Sequence, residues 1–466
     1  MENMTIKDIV EAAGGVLLCG DENKIIREFS IDSRQGGEDS IFVPIIGERV
    51  DSHRFIESAL EMNGATFTSR HRPDGADRPW ERQEAMKPWI WVEDTIEAMQ
   101  KVGTCYRNRL SLPVVAVTGS VGKTTTREMI AAALSAEKKV FQTMGNQNSQ
   151  VGVPLTLSHM SGEDEMAVLE IGMSERGQIE KLTRMIRPDM AVVTVIGVSH
   201  IAQLKTQENI CLEKMDIVKG LPKDGRLFLN GDDPFLASYR GKTEHETYFY
   251  GMSRDCDYRA EDIRIADGKT TFVFCAGEIR MPVVLGALGE HNVRNALAAL
   301  AVAHQSGVSL ERAATVLENF CGQRQKLVSC EECTVLDDAY NASPDSMKAS
   351  IHVLSSMEGV TGRKIAALSD MLELGEGERQ YHYEVGQYIG GSAIDEVVVF
   401  GELSEEILRG VADADKKGRI RLTKVGSRME MKDYLLSSVR PEDVVLFKAS
   451  NGMNLSEVVR AFTQRQ

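Results

Sequence analysis

The segment Val114-Val-Ala-Val-Thr-Gly-Ser-Val-Gly-Lys-Thr-Thr-Thr126 decides the fold of the chain around it. Its first five residues are mostly β-branched and apolar, which predicts a buried strand, and the stretch 125–136 predicts a helix. Between the two, Gly119 and Gly122 allow a sharp turn that brings backbone N–H groups toward a phosphate. The loop has the short spacing G-x-x-G-K-T, because a valine occupies position 117 where the common phosphate-loop pattern has its first glycine. The order of strand, glycine loop, lysine, threonine and helix predicts a nucleotide-binding site.

Individual side chains of this loop have defined tasks in the predicted site. Lys123 can bridge the β- and γ-phosphates, and the hydroxyl of Thr124 can bind Mg²⁺. The helix N-terminus adds a favourable dipole for an anion. The predicted nucleotide contacts are Gly119, Ser120, Val121, Gly122, Lys123, Thr124 and Thr125. Such a loop predicts a nucleotide and leaves the reaction open, so a kinase is also compatible with it.

Two further side chains follow strands that we expect beside the loop. Ligands of open α/β sheets bind at the carboxyl ends of the strands. Glu170 closes a strand-like run that starts at Met166 and could bind a metal, although a lone glutamate at a strand end is more often solvated. His200 follows the run 191–196, but a lone histidine is more often structural and Mg²⁺ prefers oxygen ligands. The residues alone therefore leave the metal ligands undecided.

The chain divides into three segments. Apolar strands alternate with helical stretches after position 112, which predicts a parallel sheet covered on both faces. Short alternating runs over 245–285 predict an antiparallel insert, and a helix is expected over 292–304. A second alternation of strands and helices begins near Val328 and predicts a Rossmann-like unit. The predicted class is α/β with three domains, at residues 1–110, 111–327 and 328–466.

Composition restricts the classes of function. The 466 residues carry 54 Lys and Arg against 69 Asp and Glu, a formal net charge of −15. This acidity argues against a protein whose main task is to bind nucleic acid or an anionic membrane surface. No apolar run approaches the ~18 residues of a membrane span, and the first residues lack the features of a signal peptide. We therefore expect a cytoplasmic protein with no membrane insertion and no nucleic-acid partner.

The eight cysteines are scattered, and one pair, Cys330-Glu-Glu-Cys333, has the C-x-x-C spacing of a zinc-binding pair. A zinc site would need a second cysteine pair or histidines at a comparable spacing, and none follows. We therefore expect two unrelated surface thiols on a turn before a strand that starts at Thr334.

Several motifs follow the phosphate loop in the order found in one enzyme family. The first are Asn146-Gln-Asn-Ser-Gln-Val-Gly-Val-Pro154, Glu170-Ile-Gly-Met173 and Ile196-Gly-Val-Ser-His200. Gly289-Glu-His-Asn-Val-Arg-Asn-Ala296 and Asp337-Asp-Ala-Tyr-Asn-Ala-Ser-Pro-Asp-Ser-Met347 come later. In this order they resemble the motifs of the Mur ligases, and the resemblance covers nearly the whole chain. It implies a uridine-nucleotide domain of α/β type, a central ATPase domain with a phosphate loop and parallel sheet, and a C-terminal Rossmann-like domain.

The resemblance also implies ligands and residue roles. ATP and two Mg²⁺ ions would bind, and a carbamylated Lys214 would turn a cation into an anion able to hold Mg²⁺. The implied metal ligands are Thr124, Glu170, His200 and Lys214, and the implied catalytic residues are Lys123, His200 and Lys214. The implied further nucleotide contacts are His291, Asn292 and Asn295 near the adenine, with Asp338 and Asn341. The implied substrate contacts are Ser33 and Arg34 at the uridine end, Asn146 and Asn148 in a substrate-facing loop, and Lys448 in a closing loop.

The reaction implied by the resemblance is ATP-dependent amide formation through an acyl phosphate. The implied substrates are UDP-N-acetylmuramoyl-tripeptide and D-alanyl-D-alanine, joined by a monomer in the synthesis of peptidoglycan precursors. Departures from the family pattern lie outside the ATP loop, at Ser52, Ser149, Val195, Ser343, Ser369, Ala449 and Asn451. They leave open a divergent ligase with another acceptor, or a catalytically weakened paralogue that binds nucleotide. A ligase like folylpolyglutamate synthase is a further alternative, but those enzymes lack a uridine-type first domain.

Overall fold

The computed structural model describes residues 1–82, 86–266, 268–322 and 324–464. Its strands form three large sheets of five, nine and six strands, and one additional pair of two-residue strands. The large sheets span residues 16–91, 114–285 and 326–448. Each sheet lies in one predicted segment, except that the third begins at Lys326, ahead of the expected boundary after 327. The α/β class is therefore confirmed, and the domain boundaries remain a prediction.

The first segment is an α/β unit on a five-stranded sheet. Its strands are β1 (Met4–Thr5), β2 (Val16–Cys19), β3 (Ile25–Ile26), β4 (Glu28–Ser30), β5 (Ser40–Phe42), β6 (Ala65–Thr68) and β7 (Trp89–Trp91). Its helices are α1 (Ile6–Ala13), α2 (Ile56–Met62) and α3 (Thr95–Arg109), with 3₁₀ helices at Ser52–Phe55 and Pro79–Arg82. The sheet has the order β2-β7-β6-β5-β4, while β1 pairs with β3.

Helix α3 connects the first segment to the second. Asp94 caps its N-terminus by accepting a backbone N–H of the first turn, which satisfies a donor that the helix itself leaves unpaired. Near the other end, the Tyr106 hydroxyl donates to the Met160 carbonyl and Arg107 Nε donates to the Ile186 carbonyl, each at 2.7 Å. Both side chains are buried, so these bonds hold the connecting helix against the second segment.

The second segment is a nine-stranded sheet with helices on both faces. Its strands are β8 (Val114–Thr118), β9 (Val140–Gln142), β10 (Met166–Glu170), β11 (Met190–Val193), β12 (Arg226–Asn230), β13 (Glu246–Gly251), β14 (Tyr258–Ala266), β15 (Lys269–Ala276) and β16 (Ile279–Leu285). Its helices are α4 (Lys123–Leu134), α5 (Gly152–Ser158), α6 (Gln178–Ile186), α7 (Ile201–Leu204), α8 (Gln207–Met215), α9 (Pro234–Ala237), α10 (Glu290–Gln305) and α11 (Leu310–Glu318), with a 3₁₀ helix at Asp216–Gly220. Because β8 lies between β10 and β11 and all three are parallel, the loops after these strands leave the same edge of the sheet.

The predicted antiparallel insert over 245–285 is wrong for its first strand. β13 pairs in parallel with β12 and with β14, and the antiparallel pairing starts between β14 and β15. Phe249 packs into the core on one face of the sheet and Tyr250 into the core on the other. A strand covered on both faces suits a parallel sheet, and periodicity alone does not distinguish it from an exposed alternating strand.

The third segment confirms the Rossmann-like prediction. Its strands are β17 (Lys326–Ser329), β18 (Thr334–Asp337), β19 (Lys364–Leu368), β20 (Glu396–Val399), β21 (Arg421–Lys424) and β22 (Val444–Lys448). Its helices are α12 (Pro344–Ser356), α13 (Glu378–Gly390), α14 (Ser404–Ala414), α15 (Arg428–Ser438) and α16 (Ser456–Thr463), with 3₁₀ helices at Gly375–Gly377 and Asn451–Met453. The order is β17-β18-β22-β19-β20-β21, and every pair is parallel apart from β17 with β18.

The cysteine pair lies on the turn between β17 and β18. The N–H of Cys330 donates to the carbonyl of Cys333 at 2.9 Å, and both are free thiols. Within the described ranges, no group of three or more His, Cys, Asp or Glu side chains could hold a metal ion. The pair lies on a tight β-hairpin turn, as predicted, but the prediction of surface thiols is wrong for Cys333, which packs into the core of the third segment.

Helix α10 is the longest helix near the phosphate loop, with 16 residues. It packs on α4 through a run of buried alanines and leucines, which lets the two helices approach closely. The packing of α10 fixes its first turn beside the start of α4.

In the part of the chain that the structure describes, we find no helix with the length and apolar character that a membrane crossing requires.

Candidate active site

A cavity of about 1230 Å³ lies where the carboxyl edge of the central sheet faces the third segment. From the central segment it is lined by the phosphate loop, the residues after β10 and β11, and the first turn of α10. From the third segment it is lined by the residues after β18, the first turns of α12 and Lys448. The cavity is therefore shared between two segments.

The phosphate loop is held tightly against the end of β11. A Cβ atom at Gly119 would lie 1.8 Å from Thr194 Oγ1, so only glycine fits at this position. The same Thr194 hydroxyl donates to the Val121 carbonyl at 2.6 Å. Gly122 has a φ of +84° and precedes the first residue of α4, a conformation that glycine adopts without strain. These contacts explain why the strand-loop-helix pattern requires both glycines.

Two buried lysines meet at one carbonyl oxygen of the loop. Lys123 Nζ donates to the carbonyl of Gly119 at 2.9 Å and lies 3.4 Å from that of Ser120. Lys214 Nζ, from α8, donates to the same Gly119 carbonyl at 3.0 Å. Burial lowers the pKa of Lys123, and burial together with the charge of Lys123 lowers the pKa of Lys214 well below its ordinary value. The two amines therefore lie side by side at the phosphate loop, and burial disfavours the charged form of each.

Glu170 provides a buried carboxylate at the end of β10. Its Oε1 accepts a hydrogen bond from Asn148 Nδ2 at 2.6 Å, and its backbone N–H donates to Thr143 Oγ1. Its Oε2 is buried without a hydrogen-bond partner among the described residues. An unpartnered carboxylate oxygen at a cavity wall, with Thr124 on the same wall, fits the oxygen chemistry of Mg²⁺.

His200 lies after β11 and is the N-cap residue of the short helix α7. Its φ is +63°, an uncommon backbone conformation for a residue with a side chain. Burial, with the nearby charges of Lys123 and Lys214, lowers its pKa to about 4, so the imidazole is neutral near pH 7. Its Nδ1 is 3.2 Å from Glu373 Oε2 of the third segment, outside hydrogen-bond geometry. A neutral imidazole is the form that can bind a metal.

The first two turns of α10 carry the residues predicted to lie near the adenine. Asn295 Oδ1 accepts from the hydroxyl of Thr126 at 3.0 Å, and Asn295 Nδ2 donates to Asn292 Oδ1 at 3.0 Å. His291 Nε2 is 2.9 Å from Gln325 Oε1. Burial lowers the pKa of His291 to about 4. These turns are therefore bonded to α4 on one side and to residues before β17 on the other.

The third segment contributes a buried ion pair to the cavity. Lys448 Nζ, at the end of β22, donates to Asp338 Oδ2 at 2.6 Å and to the carbonyl of Asn341 at 3.1 Å. Ser350 Oγ of α12 donates to the same carboxylate oxygen at 2.6 Å. Lys448 is 2% exposed and Asp338 is 8% exposed. The pair places a compensated positive group opposite the phosphate loop.

The cavity gathers most but not all of the predicted site residues. Asn146 and Asn148 line it, as do the predicted residues of α10 and the third segment. The carbonyl of Gly119 lies behind its wall and binds both lysines. Ser33 and Arg34 lie in the loop after β4 and do not line it, and Arg34 pairs with Asp32, two residues before it, at 2.8 Å. The predicted uridine contacts are therefore separate from this cavity.

Several residues of the site had no assigned role in the sequence analysis. Asp233 Oδ2 accepts the N–H of Ile196 at 2.8 Å, which holds the loop that carries His200. The position of Asp233 after β12 could have marked it as a site residue, because other polar residues of the site also lie at the ends of strands. Arg324 lies with its guanidinium 3.3 Å from the ring centroid of Tyr340. No local pattern marks Arg324, since its contacts come from distant parts of the chain.

Comparison with known proteins gives the same picture across the whole chain. The model of the Mur ligase middle domain matches residues 117–303, and that of the Mur ligase glutamate ligase domain matches residues 323–451. The UDP-N-acetylmuramoyl-tripeptide–D-alanyl-D-alanine ligase of Bacillus subtilis (strain 168) is 37% identical over 472 residues, 99% of this chain and 98% of that protein.

Two crystal structures are similar in fold over almost the full length. One is MurF from Acinetobacter baumannii, with a TM-score of 0.87, 26% identity and coverage of 100% of both chains. The other is MurF ligase from Thermotoga maritima in complex with ADP, with a TM-score of 0.80, 28% identity and coverage of 95% of this chain and 99% of that one. Because the two matched domains contain both walls of the cavity and the similarity extends from end to end, the chain belongs to the Mur ligase family.

Proposed function

We propose that this chain is an ATP-dependent ligase that joins D-alanyl-D-alanine to the terminal carboxylate of UDP-N-acetylmuramoyl-tripeptide. The observation that carries the proposal is the shared cavity, in which the phosphate loop faces the buried Lys448–Asp338 pair. Similarity over 99% of the chain to a ligase with that name supports it. The products are ADP, phosphate and a UDP-linked pentapeptide, a precursor of peptidoglycan.

The chemistry needs ATP because forming an amide from a free carboxylate is uphill in water. A carboxylate oxygen bonds to the γ-phosphorus, the bond between that phosphorus and the β,γ-bridging oxygen breaks, and ADP leaves. The amine then attacks the carbonyl carbon of the acyl phosphate, the nitrogen loses a proton to water, and phosphate leaves. Catalysis of such steps is mainly positioning and charge stabilisation. The third segment excludes water from the acyl phosphate, which would otherwise hydrolyse.

Lys123 acts on the phosphates in this proposal. Its amine exchanges the carbonyls of Gly119 and Ser120 for oxygens of the β- and γ-phosphates when ATP binds. Val121 to Thr125 donate backbone N–H groups to the same phosphates. Ser120 contacts them from the cavity wall, since its own N–H donates to the carbonyl of Val195 at 2.7 Å. His291, Asn292 and Asn295 contact the nucleoside, with Asp338 and Asn341 opposite. The lowered pKa of Lys123 supports this role, because anionic oxygens would compensate a charge that burial disfavours.

Two Mg²⁺ ions would be held by Thr124, Glu170, His200 and a carbamylated Lys214. The unpartnered Oε2 of Glu170 and the neutral imidazole of His200 suit such ligation. Lys214 fits only after conversion to a carbamate, and its strongly lowered pKa favours the uncharged amine that reacts with CO₂. Bound Mg²⁺ supplies neutralisation of phosphate charge.

The proposal assigns the remaining substrate contacts by segment. Ser33 and Arg34 bind the uridine end, Asn146 and Asn148 face the peptide, and Lys448 approaches the reacting carboxylate. The domains are residues 1–110, 111–327 and 328–466. The enzyme works as a monomer in the cytoplasm.

A product assay tests the proposal. The protein is incubated with ATP, Mg²⁺, UDP-N-acetylmuramoyl-tripeptide and D-alanyl-D-alanine, and mass spectrometry and a phosphate assay follow the products. The expected result is one ADP and one phosphate for each pentapeptide. ADP without phosphate would indicate a kinase and would overturn the ligase assignment.

The acceptor is tested separately, because Ser149 and Ser343 line the cavity where the family pattern has other residues. The same assay is repeated with a panel of dipeptides and single amino acids at equal concentration. D-alanyl-D-alanine is expected to give the highest kcat/KM. A different preferred acceptor would retain the ligase class and replace the substrate.

A further inference from the structure

A continuous chain of hydrogen bonds crosses from the central segment to the third beside the cavity. His291 Nε2, on α10, is 2.9 Å from Gln325 Oε1, and Gln325 Nε2 donates to Ser350 Oγ at 3.1 Å. Ser350 Oγ donates to Asp338 Oδ2 at 2.6 Å. Lys448 Nζ donates to the same oxygen at 2.6 Å. The nucleotide end of the site and the Lys448 pair are thus joined through one side chain of the connecting segment.

The amide of Gln325 is suited to this position by its chemistry. Its oxygen can only accept, so His291 Nε2 must carry the hydrogen, and its nitrogen donates to the serine. Asn292 Nδ2 lies 3.4 Å from the same oxygen, which agrees with this orientation of the amide. A carboxylate in the same place would keep the acceptor for His291 and lose the donor for Ser350. The two halves of the link can therefore be separated by mutation.

The backbone conformation of Gln325 also indicates that its surroundings hold this residue in place. Its φ is +51°, in the left-handed region that costs energy for a residue with a side chain. Gln325 immediately precedes β17, and no strand or helix includes it. The sheets on either side therefore do not depend on its side chain for their own strand pairing.

We propose that Gln325 is a positioning residue that couples the nucleotide site to the Asp338–Lys448 pair. The proposal rests on the function proposed above, in which His291 contacts the nucleoside and Lys448 faces the reacting carboxylate. Gln325 and Ser350 fix the position of His291, which meets the nucleotide, relative to Lys448 of the third segment. Without this link, His291 and Lys448 each remain in their own segment, but their positions relative to each other are no longer fixed.

Three variants separate the two halves of the link. Gln325→Ala removes both, and we expect a loss of about threefold to tenfold in ADP affinity and in kcat, the effect of a lost hydrogen bond. Gln325→Glu keeps the acceptor for His291, so ADP affinity stays near the parental value while kcat falls. Ser350→Ala likewise lowers kcat, and its loss of ADP affinity is smaller than that of Gln325→Ala because the His291 contact is kept. Isothermal titration with ADP and the pentapeptide assay measure these effects.

The double variant provides the decisive comparison. If Gln325 acts through Ser350, combining Gln325→Ala with Ser350→Ala lowers kcat no further than the stronger single variant. Gln380→Ala is the matched control, because Gln380 is exposed on α13 and its amide donates to Glu384. The control should match the parental protein in both assays, and thermal melting should show all variants folded.

Specific results would overturn the coupling role. Parental kcat and ADP affinity in Gln325→Ala would do so, as would losses in kcat that multiply in the double variant. If the parental protein makes no pentapeptide, the proposed function fails. ADP titration then still decides the role of Gln325: weakened binding in Gln325→Ala with retained binding in Gln325→Glu supports it, and equal binding in all three proteins overturns it.

Discussion

At the scale of single residues, the electrostatics of the site depend on two buried amines. Lys123 and Lys214 donate to the same carbonyl of Gly119, and within the described ranges neither amine lies in an ion pair. Burial disfavours the charged form of each, which is the cause of their lowered pKa values. An anionic oxygen of a ligand would favour the charged form of Lys123, whereas the uncharged amine of Lys214 suits the proposed carbamate. In the proposed function, Lys123 is therefore the amine that meets the phosphates.

Replacing Lys123 by alanine tests this interpretation. We expect the rate of pentapeptide formation to fall by about 100-fold or more, the usual cost of removing a donor that stabilises developing charge. The melting temperature should stay the same or rise, because a buried amine is removed. Phosphate release and thermal melting measure the two effects. Lys181→Ala, an exposed lysine of α6, serves as the control, and a parental rate in Lys123→Ala would contradict the assignment.

For Gly119, the structure predicts that a larger residue would clash with its surroundings. Alanine there would bring Cβ to within 1.8 Å of Thr194 Oγ1, so the loop must move away from β11. We expect Gly119→Ala to weaken ADP binding by at least about tenfold, because the backbone N–H groups lose their alignment. Gly37→Ala is the control, since nothing lies within 4 Å of a Cβ there. Unchanged ADP affinity in Gly119→Ala would show that the loop does not hold the phosphates.

At the scale of secondary-structure elements, the local sequence pattern predicted the features that interactions within a short stretch of chain determine. The strand-loop-helix unit of β8 and α4 and the extent of α10 follow from periodicity and glycine position, and the structure has them within a few residues. The pairing of β13 did not follow, because whether its second face is covered depends on helices far along the chain. A buried parallel strand and an alternating exposed one share the same short pattern.

The same limit applies to the candidate site. Glu170 and His200 could be predicted because each follows a strand whose end the sequence marks. Gln325 and Arg324 could not, since their partners lie on α10, α12 and the loop after β18. A sequence marks positions within an element, and it does not show which elements meet.

Helix α1 provides a prediction at the element scale. Asp8 forms a capping box with Thr5 and pairs with Arg109 of α3 at 2.8 Å. The hydrogen bond from Arg109, followed by that from the Thr5 backbone, lowers the pKa of Asp8 to about 2. This stabilisation is complete above the unfolded-state value of ~3.9 and is lost as the pH falls through about 2. We expect Asp8→Asn to destabilise the fold by about 1 kcal/mol at pH 7, after allowance for solvent screening.

Urea denaturation at two pH values checks the sign for Asp8. The difference in free energy of unfolding between Asp8→Asn and the parental protein should fall at pH 3 to about half its value at pH 7. At pH 3 the carboxyl of the unfolded chain is already mostly protonated. Asp74→Asn, exposed in the loop after β6, should show no difference at either pH. An Asp8→Asn difference that grows at pH 3 would contradict the sign of the linkage.

At the scale of the whole molecule, the two junctions between segments differ. The first and second segments are joined through the buried bonds of Tyr106 and Arg107 on α3. The second and third meet across the cavity, and the connecting residues Arg324, Gln325 and Lys326 line it. A ligand in the cavity therefore contacts the connection between the segments directly. Ligand binding should be detectable there as a change in accessibility.

Limited proteolysis with trypsin measures that change. Trypsin cuts after Arg324 and Lys326, and at ADP concentrations of about 100 times Kd we expect cleavage there to slow by up to about 100-fold, because only the free form is cut. Lys416 and Lys417 are exposed in the loop between α14 and β21 and provide an internal control in the same molecule. Their cleavage rate should not change, since they lie outside the cavity. If both regions are protected equally, or the connection is cut at the same rate with and without ADP, the nucleotide does not cover the connection between the segments.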